Sequence, residues 1–282
     1  MSVNLLNAFI SVNSFGSLDI SAYSSKYLNR VNSIGEQLEY YVKDAIADSF
    51  TSANKDAIYN KAYSYLGNQN NPPDMIIRGG DAFEIKKING RGTEIALNSS
   101  PPKDRLYSTD QRITSACVSC EPGWKVKDLF YTIGQISNGK INQLLFVQGR
   151  CYAADKKIYE NLHQGLKGEF EKVIKAKGVE SGSTVELGRV NRVDPLGITE
   201  LRIRGMWQMR NPLNFFEKEL HSKEGRRPFV GAIMLKSKYD EFPERDRKRI
   251  LGMESVEIKQ IRLKSPNNPA DLLNGIIIKM VV

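Results

Sequence analysis

The sequence predicts an α/β domain built on a central mixed β-sheet flanked by helices. Three segments carry that expectation. Ser33 to Phe50 sets Ile34, Leu38, Tyr41, Val42, Ala45 and Ile46 on one face at helical spacing. Residues 72–87 read as two short strands joined by a glycine turn, and Asn142 to Val147 is an apolar run suited to a sheet interior. With 282 residues the chain can bury a substantial core, as one large domain or two small ones.

Taken in order, residues 1–28 are rich in Ser and Asn with short apolar patches and read as an irregular arm or a short helix. Ser33 and Glu36 form a capping box at the start of the first clear helix. Glu39, at the margin of its apolar stripe, is either a solvated glutamate or a carboxylate aimed at a neighbouring strand. A second helix is expected over Lys55 to Tyr65, followed by a polar loop from Gly67 to Asn71. Pro72 and Pro73 then stop helix propagation and force an extended approach to Asp74.

The register of the hairpin decides what its charges can do, because side chains alternate across a strand. A two-residue Gly79-Gly80 turn would pair Arg78 with Asp81 and split Asp74 from Glu84. A three-residue loop, Gly79-Gly80-Asp81, pairs Arg78 with Ala82 and Asp74 with Lys86. That register gathers Met75, Ile77, Phe83 and Ile85 on an apolar face and Asp74, Glu84 and Lys86 on the other. It buries four apolar side chains at about 1.5 to 3 kcal/mol each, so it is the expected one.

After the Asn89-Gly90-Arg91-Gly92 turn, a strand at Thr93 to Leu97 completes a three-strand meander. The loop Asn98 to Lys103 is full of small donors beside these strands; Asn98, Ser99 and Lys103 are candidate contacts to a phosphate backbone, against an ordinary Pro-rich turn. Residues 126–136 look helical, and Ala153 to Ala176 suggests one or two amphipathic helices. Lys177 to Thr184 is the best candidate boundary. We expect one domain over 1–282, with a catalytic core at about 30–155 and a recognition and dimerisation region at about 184–282.

Two carboxylates converging on one face repel each other unless a cation lies between them, and oxygen-only ligation suits magnesium rather than zinc. Lys86 has donors only, so it would contact an anion or a water rather than the ion. Such an ion polarises a phosphoryl oxygen and acidifies a bound water, while the lysine positions the nucleophile or steadies developing charge. The grouping predicts a nuclease. The plain alternative is an exposed strand face with cross-strand ion pairs.

Pro73-Asp74, nine intervening residues and Glu84-Ile85-Lys86 resemble the PD-(D/E)xK nuclease signature, whose largest membership is the type II restriction endonucleases. Longer stretches are more specific: 67–74 (GNQNNPPD), 95–103 (IALNSSPPK) and 188–199 (GRVNRVDPLGIT) resemble the NgoPII-type restriction endonucleases, a branch that cleaves GGCC palindromes. The likeness runs from about residue 30 to about 210. It implies a restriction-endonuclease-like fold, Asp74 and Glu84 as magnesium ligands with the Ile85 carbonyl as a third, and Lys86 orienting and helping to activate the attacking water. It also implies that Glu39 supports the lysine or a second ion, and that products carry 5′-phosphate ends.

Charge and composition fit that expectation. The chain holds 41 Lys and Arg against 32 Asp and Glu, a net +9 that favours a polyanionic partner. No apolar run approaches the roughly 20 residues that span a bilayer, and the N-terminus lacks a basic-then-apolar signal, so no membrane partner and a cytoplasmic location are expected. Cys117, Cys120 and Cys151 fit no disulfide framework. The Cys117/Cys120 spacing suits zinc, but four ligands are wanted and the only histidines are His163 and His221, so reduced thiols are the default. Two histidines give little material for a Ser-His-Asp scheme, and no G-x-x-x-x-G-K-[ST] loop is present.

From Arg189 to Arg210 five arginines and no lysine stand against only Asp194 and Glu200. A patch that only had to neutralise phosphates could use lysine equally well, whereas a planar guanidinium can grip guanine O6 and N7 with two bonds. Arg189, Asn191, Arg192, Arg202 and Arg204 are therefore candidate DNA contacts. Arg202 and Arg204 are expected to share a strand face with Leu201 and Ile203 turned inward; the alternative is a solvated strand with ion pairs to Asp194 and Glu200. Trp207 reads as core, and Arg245 to Arg249 as an exposed helix turn.

The expected function is magnesium-dependent hydrolysis of double-stranded DNA at a short GC-rich palindrome, GGCC by resemblance, by a homodimer with one active centre per strand. Rivals are a repair nuclease or junction resolvase of the same superfamily, and a non-catalytic DNA-binding relative.

Overall fold

Apolar runs buried on both faces build the central sheet, and their burial explains why simple alternation misses some of them. The computed structural model describes residues 3–23, 34–68, 71–90, 92–220 and 227–282. Ser33 of the expected capping box, Gln69 and Asn70 of the polar loop, Arg91 of the next turn and His221 lie outside these.

Helices α1 (Leu6–Phe15), α2 (Ile34–Ala47) and α3 (Lys55–Ala62) precede strands β1 (Tyr63–Asn68), β2 (Asn71–Ile77), β3 (Ala82–Ile88), β4 (Ile95–Asn98) and β5 (Arg105–Tyr107). The long hairpin of β6 (Val126–Ser137) and β7 (Lys140–Gln148) leads to α4 (Lys156–Ala176). Short strands β8 (Gly188–Val190), β9 (Leu201–Ile203) and β10 (Trp207–Met209) follow, then β11 (Phe229–Leu235), α5 (Glu244–Leu251), β12 (Val256–Lys264) and β13 (Leu272–Val281). The main sheet runs β1-β2-β3-β6-β7-β11-β13-β12, with β5 added to β6, so strands from the last third of the chain extend the sheet that carries the hairpin. The β3/β6 and β7/β11 pairs are parallel and the other pairs along that path antiparallel, which makes the sheet mixed as expected.

Each face of this sheet has its own core. Met75, Ile77, Phe83, Ile85, Phe130 and Phe146 lie with Leu6 and Phe9 of α1 and Leu38, Tyr41 and Val42 of α2. Ile76, Ala82, Leu129, Tyr131, Leu145 and Val147 lie on the other side with Leu97, Leu106, Cys117 and Met209. Of the two alternatives for the N-terminal segment, the short helix forms and the irregular arm does not, with Leu5, Leu6, Phe9 and Val12 fully buried.

Four expectations are corrected. Residues 126–136 are strand, not helix: Phe130 and Tyr131 are both buried, one in each core, so the run shows no polar face and its periodicity is ambiguous. The second helix ends at Ala62, and Tyr63–Asn68 joins the sheet as β1 beside β2. The meander does not form, because the free edge of β3 is taken by β6 in parallel while β4 pairs with β10. Burial on alternate residues suits β4 to a small sheet lying over the main one.

The hairpin itself closes one step earlier than expected. Met75 pairs with Phe83 and Ile76 with Ala82, and the Ile77 N–H donates to the Asp81 carbonyl at 2.9 Å, so the loop is Arg78-Gly79-Gly80 with Gly79 at φ 68°. Asp81 leaves the loop because its carboxylate is buried against Lys238, 2.6 Å away. The register shift is two residues, an even number, so every side chain keeps its predicted face.

Candidate active site

The ladder between β2 and β3 stops at Met75 and Phe83, and a side chain takes over where it opens. The Asp74 carboxylate accepts the Ile85 N–H at 2.5 Å, tying the two strands together beyond their last paired residues. Gly67 on β1 permits this approach: a Cβ there would stand 2.3 Å from the Pro73 carbonyl oxygen and 3.1 Å from Asp74 Cα. Glu84 and Lys86 follow on the same face of β3, with Lys86 Nζ 2.7 Å from Glu84 Oε1. Glu84 Oε2 is buried and has no hydrogen-bond partner among the described residues.

Electrostatics bear the marks of an acid cluster with too little positive charge. Burial, then repulsion from Glu84, raises the Asp74 carboxyl well above its ordinary range, more than Lys86 and the Ile85 N–H can offset. Burial pushes Lys86 downward, but Glu84, Asp74 and Glu39 outweigh it and hold the ammonium above its usual value. Glu39 lies close enough for its charge to act on both Asp74 and Lys86. Burial raises its own carboxyl despite Lys43, whose Nζ is 3.7 Å away.

The sequence-predicted residues fall into three groups. Asp74, Glu84 and Lys86 line one cleft of about 500 Å³ together with Asn98, Ser99 and Arg204, so the hairpin, the loop after β4 and the segment after β9 meet. Arg189 and Arg192 do not line it; Arg189 faces Arg202 across the β8/β9 pair and binds Glu200 at 2.5 Å. Arg192 stands exposed at φ 52°, and Asn191, beside it, has a buried side-chain oxygen without a partner. Lys103 is turned inward rather than toward a backbone phosphate: it is buried, its Nζ 3.2 Å from Asp110, and its N–H donates to the Tyr131 hydroxyl.

Two details of the arginine segment differ from expectation. Leu201 is exposed, since β8/β9 form a small sheet of their own with little behind them. Among the described residues Asp194 pairs with no arginine; its carboxylate accepts the N–H groups of Leu196, Ile198 and Thr199 and shapes the loop. Arg202 and Arg204 bind Glu186 instead. Glu186 and Arg112, both lining the cleft, were missed by sequence reasoning. Glu186 lies 16 and 18 positions from its arginines and Arg112 sits in no motif, so no local spacing signals either.

Among the described residues no three His, Cys, Asp or Glu side chains gather into a complete metal site, and the three cysteines are free thiols. Burial raises Cys117 and Cys151 to about 12, which makes both inert. No helix among the described residues is long and apolar enough to cross a membrane.

Comparison with known proteins supplies the family. The chain matches the NgoPII restriction endonuclease family over residues 3–264. It is 37% identical over 280 residues to the type II restriction enzyme NgoPII of Neisseria gonorrhoeae, covering 98% of this chain and 99% of that protein. No solved structure matches it. A match across nearly the whole chain, over a mixed sheet whose opened hairpin presents two acids and a lysine, places this protein in the NgoPII restriction endonuclease family.

Proposed function

We propose that this protein cleaves double-stranded DNA with magnesium at a short GC-rich palindrome, GGCC in our reading, leaving 5′-phosphate ends. The observation that carries the chemistry is the partnerless, buried Glu84 Oε2 beside the Asp74 carboxylate. Two hard oxygen donors repelling each other in a buried site fit a divalent cation; Asp74 and Glu84 would hold it, and the Ile85 carbonyl would be available as a third donor. The ion, when bound, supplies Lewis acidity at the phosphoryl oxygen and lowers the pKa of a water.

The chain's own groups do the rest. Lys86, kept protonated by Glu84 and Asp74, donates hydrogen bonds that orient the attacking water and steady charge on the phosphate. Glu39 holds the lysine from the side of α2 and supports a second ion if one enters. Asn98, Ser99 and Arg204, across the cleft, hold the DNA backbone or base edges; Arg202 and the more distant Arg189, Asn191 and Arg192 extend that surface. We assign the protein to the cytoplasm, where this substrate lies.

A palindrome is matched by a symmetric reader, so we propose a homodimer with one active centre per strand. Apolar surface without cover supports it: Ile158, Leu162, Leu166 and Val173 form an exposed stripe along α4, and Leu196 and Ile198 are 82% and 77% exposed in the loop before β9. A digest of unmodified plasmid DNA with magnesium, followed by sequencing of the ends, tests the whole reading. Discrete fragments ending within one palindrome are expected; structure-selective or smeared cutting would point to a repair nuclease or resolvase instead.

A further inference from the structure

Glu186 has no part in the chemistry above, yet its surroundings are unusual for an acid beside a polyanion's path. Its side chain is only 8% exposed. Oε1 accepts from Arg202 Nη2 at 2.8 Å and from Arg204 Nε at 2.6 Å, and Oε2 accepts from Arg202 Nε at 3.0 Å. Its own N–H donates to Thr184 Oγ1, and the next residue's N–H donates to the Ile203 carbonyl, so its main chain is fixed at both ends. It lines the same cleft as Asp74, Glu84 and Lys86.

An arginine that reads a base edge must present its planar fork in one orientation, but a free side chain of that length scatters over many rotamers. A buried carboxylate taking both Nε and Nη2 of Arg202 removes that freedom. Arg204 is engaged through Nε, which leaves its terminal nitrogens outside the pair. The same carboxylate neutralises charge that would otherwise bind any phosphate, and phosphate contacts carry no sequence information.

We propose that Glu186 is a positioning and specificity-determining residue: it locks Arg204, on the cleft wall, and Arg202, beside it, into one rigid reading pair and suppresses their indiscriminate attraction to DNA. This rests on the reading of the cleft as a DNA-cleaving site.

The test uses the full chain carrying Glu186→Ala or Glu186→Gln. Binding is measured without magnesium on a duplex containing the sequence found by the plasmid digest and on a scrambled duplex, across a salt series. Glu186→Ala should reduce the ratio of specific to scrambled affinity about ten- to hundredfold, the discrimination carried by one or two bidentate contacts. Affinity for the scrambled duplex should not fall, and its salt dependence should steepen by about one unit of log–log slope per released arginine. Glu186→Gln, which keeps the shape and one acceptor, should lose less of the ratio, and with magnesium both variants should raise KM more than they lower kcat. A purely structural role would instead weaken both duplexes in step.

An unchanged ratio, or parallel loss on both duplexes, overturns the proposal. If Glu186→Ala does not fold, the glutamine variant decides on the same criteria. Arg204→Ala separates the two readings: if it alters binding while the Glu186 variants do not, the present inference fails, and if it too alters nothing, the assignment of this wall to DNA fails.

Discussion

Lys86→Ala is the most discriminating perturbation of the catalytic reading. At 2.7 Å from Glu84 Oε1, the gross attraction between the two charges is about 6 kcal/mol at an effective dielectric near 20. That figure bounds from above what the ammonium can give to a phosphoryl oxygen at similar range, because burying the amine offsets part of it. A preorganised donor of this kind is worth about 3 to 4 kcal/mol in the transition state, or two to three orders of magnitude in kcat. Specific DNA binding without magnesium should survive, since Lys86 is engaged by Glu84 on β3 and is not one of the residues assigned to reading DNA. The magnesium concentration for half-maximal rate should stay the same or fall, because one positive charge competing for Asp74 and Glu84 has gone. Single-turnover cleavage over a magnesium titration, with binding followed by fluorescence anisotropy, measures all three. Turnover within tenfold of the parent would refute the assigned role, and binding lost in proportion to cleavage would make Lys86 a docking residue.

Four further outcomes follow from the same geometry. Asp74→Asn should abolish magnesium-dependent cleavage but, in chelator, melt higher than the parent at pH 7 to 8. The raised folded pKa of Asp74 means its contribution to stability is complete below its ordinary 3.8 and is lost as pH rises, so the gap should close toward pH 4. Gly67→Ala places a methyl 2.3 Å from the Pro73 carbonyl, must push β2 aside, and should lower cleavage at least a hundredfold while the melting temperature shifts by only a few degrees. Lys238→Met leaves Asp81, already raised to about 6 by burial, and Asp128 without their cation; urea unfolding should show a loss of about 3 to 5 kcal/mol, largely recovered by adding Asp81→Asn. Leu162→Glu with Leu166→Glu, both on the exposed stripe of α4, should yield a monomer by light scattering; an intact dimer would move the interface elsewhere.

How much of this was legible depended on whether the information was local. Asp74, Glu84 and Lys86 could be placed on one face because parity survives any even change in register, and the observed pairing differs from the expected one by two residues. The identity of the neighbouring strand was not legible. Nothing in Thr93 to Leu97 forbids pairing with β3, and only the competition from β6, apolar on both faces, decides it. The helix expected at 126–136 and the meander expected at 93–97 share one physical cause: a strand with no polar face hides its period, and without it β3 has an open edge that the next apolar segment could fill.

Opening of the β2/β3 ladder joins these points to the chemistry. Had the pairing continued past Met75, main-chain bonds rather than the Asp74 carboxylate would have satisfied the Ile85 N–H. The carboxylate and the adjacent Ile85 carbonyl would then have been less free to face Glu84. Pro73 lacks the N–H that a continuing antiparallel ladder would direct at the Ile85 carbonyl, which weakens pairing with β3 beyond Met75. Pro-Asp at the mouth of this hairpin therefore has a physical consequence as well as a sequence likeness. Pro73 weakens the pairing, the aspartate closes the gap with its own oxygen, and the next residue on that face, Glu84, is left with one oxygen that no group among the described residues satisfies.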